Sequence, residues 1–304
     1  MLGLALLGAV AAGVLMAVQG PTNAALARHS SGLQATAVSF GGGLLVMALG
    51  VLLFGKGDMG AFVQAEWWQL LGGLYGACAV FVTTLCVPVL GLALTLTVIM
   101  LGQLAMGAAI DGFGLFRTPP VPVGPWRLLG IAVVAVGIVM VYIGRKKQSG
   151  TGKPKLGLIA LAVLSGAGGA VQSATNASLA SYMGSLEATC FSFIVGFAAV
   201  ALVLLVKTRG RLVSMKGKGI KPWMMIGGLY GAFGIFLNTA TTPILGIALL
   251  VTAGMLGQLV GGSVIDHFGL LKSPVIKTEK WRVLGMLTIA IGVAWVSYAK
   301  MISG

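Results

Sequence analysis

The sequence predicts an all-α integral membrane protein of ten transmembrane helices, built as two inverted five-helix repeats over residues 1–150 and 151–304. Three observations predict it. The composition suits lipid: 58% of the 304 residues are hydrophobic, 9% are charged and the mean hydropathy is +1.02, whereas soluble chains carry roughly 25% charged residues. Long apolar runs such as Leu44–Phe54 and Ile131–Ile143 recur without the alternation of a membrane β-strand. The third is an internal repeat, with an odd number of spans in each copy. The 48 glycines fit the same class, because small residues let helices approach closely in lipid.

With ~20 apolar residues needed per span, the predicted helices cover 2–22, 33–54, 67–87, 91–110, 126–144, 156–175, 186–206, 223–241, 246–265 and 281–299. The first lacks a basic leader and a cleavage motif, so it is expected to be a retained helix; Pro21 falls near its inner end. The third, fifth, eighth and tenth begin at Trp67-Trp68, Trp126, Trp223 and Trp281, where indoles favour the membrane interface. Pro88 and Pro243 are expected to open the fourth and ninth. The segment Gly144–Lys155, GRKKQSGTGKPK, has linker composition and divides the chain almost in half.

The halves match in register. Val18-Gln19, Asn23-Ala24, Leu26-Ala27 and Ser39-Phe40 recur 153 residues on at Val171-Gln172, Asn176-Ala177, Leu179-Ala180 and Ser192-Phe193. After a two-residue insertion the offset is 155: GGLYGA recurs at 72–77 and 227–232, P-x-L-G from Pro88 and Pro243, LGQL from Leu101 and Leu256. Ile110-Asp111 with Phe113-Gly-Leu115 likewise recurs at Ile265-Asp266 with Phe268-Gly-Leu270, and Trp126-Arg127 at Trp281-Arg282.

Five helices per copy means that the second copy enters the bilayer from the opposite side. The cations agree: sixteen Lys and Arg fall in the loops of one side and only Lys56, Arg117, Arg127 and Lys300 on the other. Basic loops lie in the cytoplasm, so both termini are expected outside it. The net charge of +14 is then a by-product of topology and nucleic acid is not an expected partner. Cys78, Cys86 and Cys190 show no metal or redox spacing, and no cofactor or metal is expected.

Polar groups inside spans are costly unless bonded, so they mark sites or interhelical glue. Gln19 and Asn23 stand four apart on one helix face, and Gln172 and Asn176 repeat them. They are read either as glue or as donors and acceptors lining a central cavity for a polar solute. Gln103 and Gln258 offer a second amide layer, and Tyr75 and Tyr230 in GGLYGA could add hydroxyls or simply pack. Asp111 and Asp266 each precede an arginine, Arg127 or Arg282, by sixteen residues, a spacing suited to a hairpin-closing ion pair, with proton coupling the alternative. Glu187 replaces Gln34 of the first repeat and is either a helix N-terminal charge or a coupling carboxylate.

The combination of Q-x-x-x-N-A-x-L, GGLYGA, P-x-L-G, LGQL and D-x-F-G-L resembles the YdcZ-type family of the drug/metabolite transporter superfamily, over nearly the whole chain and twice. The resemblance implies a bacterial inner-membrane, ten-helix inverted-repeat exporter with a central site. Related small multidrug resistance proteins use a first-helix glutamate for proton and cation exchange, where this chain carries Gln19 and Asn23.

The expected function is therefore secondary transport of a small polar metabolite, neutral or zwitterionic, by alternating access, with the lipid bilayer as partner. A passive channel or facilitator is the alternative. An enzyme is not expected, since no HExxH, nucleophile elbow or P-loop occurs. The oligomeric state is not set by the sequence, and a monomer is compatible with it.

Overall fold

The computed structural model describes residues 1–90, 92–118, 120, 124–146, 156–209, 219–272, 275 and 280–303. Among these the fold is all-helical: α1 (Leu2–His29), α2 (Gly32–Phe54), α3 (Gly72–Leu90), α4 (Leu92–Phe113), α5 (Pro125–Lys146), α6 (Leu156–Met183), α7 (Ser185–Thr208), α8 (Gly227–Leu245), α9 (Ile247–Phe268) and α10 (Lys280–Ser303). Most of the expected Gly144–Lys155 linker, the basic stretch 210–218 and Glu279 lie outside the described residues.

Among the described residues, seven stretches are long and apolar enough to cross a bilayer: Leu2–His29, Gly32–Phe54, Thr95–Phe113, Leu156–Met183, Ser185–Thr208, Pro222–Leu245 and Ile247–Phe268. Leu128–Val141 is a shorter apolar helix. Their outer faces are themselves apolar, with Leu52 83% and Val206 72% exposed. A surface of this kind belongs in hydrocarbon, where the helix satisfies its own backbone.

Several boundaries differ from the sequence expectation. α1 and α6 run to His29 and Met183, well past the predicted 22 and 175. In their polar ends hydroxyls bond the preceding turn: Thr22 donates to the Val18 carbonyl at 2.8 Å and Thr175 to that of Val171 at 3.0 Å. Pro21 lies inside α1. Trp67–Leu71, expected to begin the third helix, is a 3₁₀ turn, joined to another over Met59–Gln64. Pro88 and Pro243 close α3 and α8 rather than opening the next helices, which begin at Leu92 and Ile247.

The main helix pairings repeat between the halves. α1 packs on α8 and α9, α6 on α3 and α4, α2 on α7 and α8, and α7 on α2 and α3; α5 pairs with α10 and α4 with α9. Replacing each helix by the one five places on maps this set onto itself. Glycines set the closest crossings. A Cβ on Gly13 would lie 1.9 Å from the Gly254 carbonyl oxygen, and one on Gly166 2.0 Å from that of Ile99. Only glycine permits backbones so near, and the two crossings, α1 with α9 and α6 with α4, are equivalent. The largest buried cluster gathers Ala9, Leu104, Ile138, Ala170, Leu249 and Ile289 from six helices.

Candidate functional site

The two amide pairs are seated alike, each against the opposite half of the chain. Four-residue spacing places Gln19 and Asn23 on the α1 face that meets α8, whose GGLYGA presents Gly227 and Gly231 at the same spacing. Cβ atoms there would lie 2.0 Å from Asn23 Oδ1 and 2.3 Å from Gln19 Nε2. On α6, Asn176 and Gln172 meet Gly72 and Gly76 of α3, with 1.9 Å from Oδ1 and 2.4 Å from Nε2. The motif is glycine-rich at these positions because an amide from the other half occupies the space a side chain would need.

The pairs differ in their hydrogen bonds. Gln19 Nε2 and Asn23 Nδ2 both donate to Ser39 Oγ on α2, at 3.3 and 3.2 Å. Ser192 is the counterpart of Ser39, yet Asn176 Nδ2, Asn176 Oδ1 and Gln172 Nε2 are buried without a hydrogen-bond partner. Asn176 is only 1% exposed. An unbonded amide at this depth costs about 1–3 kcal/mol.

The second amide layer is joined to the first on one side. Gln103 of α4 reaches α6 at Gly169, where a Cβ would lie 2.9 Å from its Nε2, one turn from Gln172. Gln258, in α9, is half-buried, with its backbone against Gly13. Tyr75 and Tyr230 are half-buried on α3 and α8. A cavity of about 480 Å³ lies elsewhere, lined by Leu6, Val10, Ala253, Val293 and Tyr298 between α1, α9 and α10. It is apolar and touches none of the amides.

The acids within helices contact backbone N–H groups or an arginine. Asp111, at the end of α4, accepts from the backbone N–H groups of Ile247 at 2.7 Å and Ala248 at 2.9 Å. It thereby satisfies the first turn of α9, which starts at Gly246 with φ +72° and whose positive dipole end favours a carboxylate. Asp266 receives Arg282 Nη2 at 2.9 Å, both side chains buried, the ion pair that the sixteen-residue spacing predicts. The equivalent Arg127 side chain lies outside the described residues. Glu187, 3% exposed at the start of α7, accepts from the Gly57 N–H at 2.8 Å.

The sequence reading missed Ser39 as the shared acceptor and the glycines as amide seats. Ser39-Phe40 stood out only as a repeat match, and the four-residue spacing common to Gln19 and Asn23 and to Gly227 and Gly231 was the available signal. Chemically, the arrangement offers uncharged donors and acceptors at membrane depth. Among the described residues no group of three or more His, Cys, Asp or Glu is placed to hold a metal.

No curated protein matches the sequence. A solved chain described as "Crystal structure of protein" superposes with a TM-score of 0.61 at 17% identity, covering 95% of this chain and 97% of that chain, a likeness of fold. A family model described as "Putative inner membrane exporter, YdcZ" matches twice, over residues 4–140 and 157–295. Matched along most of its length and folded as a multi-pass set of apolar helices, the chain belongs to the YdcZ-type family of inner-membrane drug/metabolite transporters.

Proposed function

We propose that the protein is a secondary transporter that exports a small polar, neutral or zwitterionic metabolite by alternating access. In this reading ten spans form two inverted repeats, 1–150 and 151–304, with both termini outside the cytoplasm. Gln19, Asn23, Gln172 and Asn176 supply the hydrogen bonds to the solute, Gln103 and Gln258 a second layer, and Tyr75 and Tyr230 its flanks. No catalytic step is involved.

The observation that carries the reading is the duplicated amide seat. Each half contributes two amides to a glycine face of the other half, so a rocking of one half against the other would uncover or bury them. Uncharged amides suit a solute without net charge, because an ion would meet no counter-charge there. Asp111 and Asp266 are assigned to structure in this reading, each holding a helix end rather than coupling transport to protons.

A metabolite screen by thermal stability identifies the solute, since a ligand of the folded state raises the melting temperature. Counterflow in proteoliposomes with that solute then tests the mechanism. Saturable counterflow, lost in Asn23→Ala and Asn176→Ala, is the expected result. Flux that neither saturates nor counterflows would mean a passive channel.

A further inference from the structure

The connection from α2 to α3 is more than a loop. Residues 55–71 lie across the α6–α7 turn and are tied to it at several points. The Asp58 N–H donates to the Met183 carbonyl at 3.1 Å, and the Gly57 N–H to Glu187. Gln69 Nε2 donates to Ser178 Oγ at 2.6 Å, and Phe62 stacks on Phe191 with centroids 5.3 Å apart. Ala61 is buried among Leu179, Met183 and Ala188. The outer edge is held by Arg117, which pairs with Glu66 and donates to the Tyr182 hydroxyl.

Two further facts give this strap a role. It runs directly into Gly72, the seat of Asn176, so lifting it would also uncover the second-half amides. And its outer tie is not repeated in the sequence of the other half. The sequence counterparts of Glu66, Arg117 and Tyr182 in the opposite halves are Lys221, Lys272 and His29. Gln69 and Ser178 are likewise replaced by Met224 and Ala25, which share a small apolar cluster.

We propose that residues 55–71 are a gate over Gln172 and Asn176, latched by Glu66, Arg117 and Tyr182. The inference rests on the transport reading above. The Arg117 and Glu66 side chains are 53% and 48% exposed, so the latch is weak and screened by salt. That suits a contact broken in every cycle. The Glu187 carboxylate, by contrast, is buried and anchors the strap's inner edge as a hinge point.

The test places a cysteine at Asn176 in a background lacking Cys78, Cys86 and Cys190 and measures its rate of reaction with an uncharged, water-soluble maleimide. The Arg117→Gln change should raise the rate about two- to fivefold, the effect of losing one exposed ion pair. The charge exchange Glu66→Arg with Arg117→Glu should bring it back towards the parent. High salt should accelerate the parent and leave Arg117→Gln unchanged, an arm that needs no second variant to fold. Asn23→Cys should not speed up in any of these. Equal rates at Asn176→Cys in parent, Arg117→Gln and high salt would overturn the gate while leaving an accessible amide site. No labelling in any variant would overturn both.

Discussion

Substituting Gly72 by alanine tests whether the amide seat is as tight as the geometry states. The new Cβ would lie 1.9 Å from Asn176 Oδ1, 3.0 Å from its Cγ and 3.2 Å from Thr175 Oγ1. Carbon atoms in contact stand roughly 3.5–4.0 Å apart, so the amide must retreat by more than about 1 Å. Asn176 has no room to do so, being 1% exposed. Overpacking of this kind costs about 1–3 kcal/mol, and at ~3 °C per kcal/mol the melting temperature should fall by roughly 3–9 °C. Thermal unfolding in detergent, followed by tryptophan fluorescence, reads this directly. Gly168→Ala, on α6 with Asn176 and with nothing within 4 Å of its Cβ, is the control and should gain up to ~1 kcal/mol from helix propensity. Adding Asn176→Ala to Gly72→Ala should restore most of the loss, because the clash disappears and that amide forfeits no hydrogen bond. A Gly72→Ala protein that melts with the Gly168→Ala control, or a double variant no better than the sum of its singles, would refute the seat.

Three more outcomes are expected. Asn23→Ala should melt below Asn176→Ala by about 0.5–1.5 kcal/mol, since only Asn23 loses a bond to Ser39; equal melting would remove the asymmetry between the halves. Arg282→Met removes the cation of the buried pair with Asp266 and should cost about 3–5 kcal/mol, with Asp266→Asn added to it recovering much of the loss in melting temperature. An alkaline phosphatase fused after Gly304 should be active, and a fluorescent reporter that matures only in the cytoplasm should stay dark; the reverse pattern would refute the topology read from the cations.

The membrane class, the helical fold and the duplication were legible in the sequence because each is written in local composition and in residue offsets. Apolar runs of span length leave few alternatives once the solvent is lipid, and GGLYGA, LGQL and the Gln-Asn pairs recur in register regardless of how the halves meet. The pairing of Asp266 with Arg282 was legible too, since sixteen residues across a helix hairpin bring the two together. Boundaries were less so. The 3₁₀ turn at Trp67–Leu71 looks apolar enough to belong to the third helix, and its departure from it accompanies docking on α6 and α7 beside the turn at Met59–Gln64.

Apart from that ion pair, tertiary structure decided what the polar residues touch. Asp111 accepts from the backbone of Ile247 and Ala248, more than 130 residues away, and backbone donors leave no trace in side-chain patterns. Glu187 meets the Gly57 N–H for the same reason invisibly. The sequence determined that amides and glycines occur in matched, duplicated sets; only the packing of α1 on α8 and of α6 on α3 decided that each amide pair sits in the glycine face of the opposite half. Spacing along one helix establishes which residues share a face, whereas the partner of that face is chosen by the shapes of every helix at once.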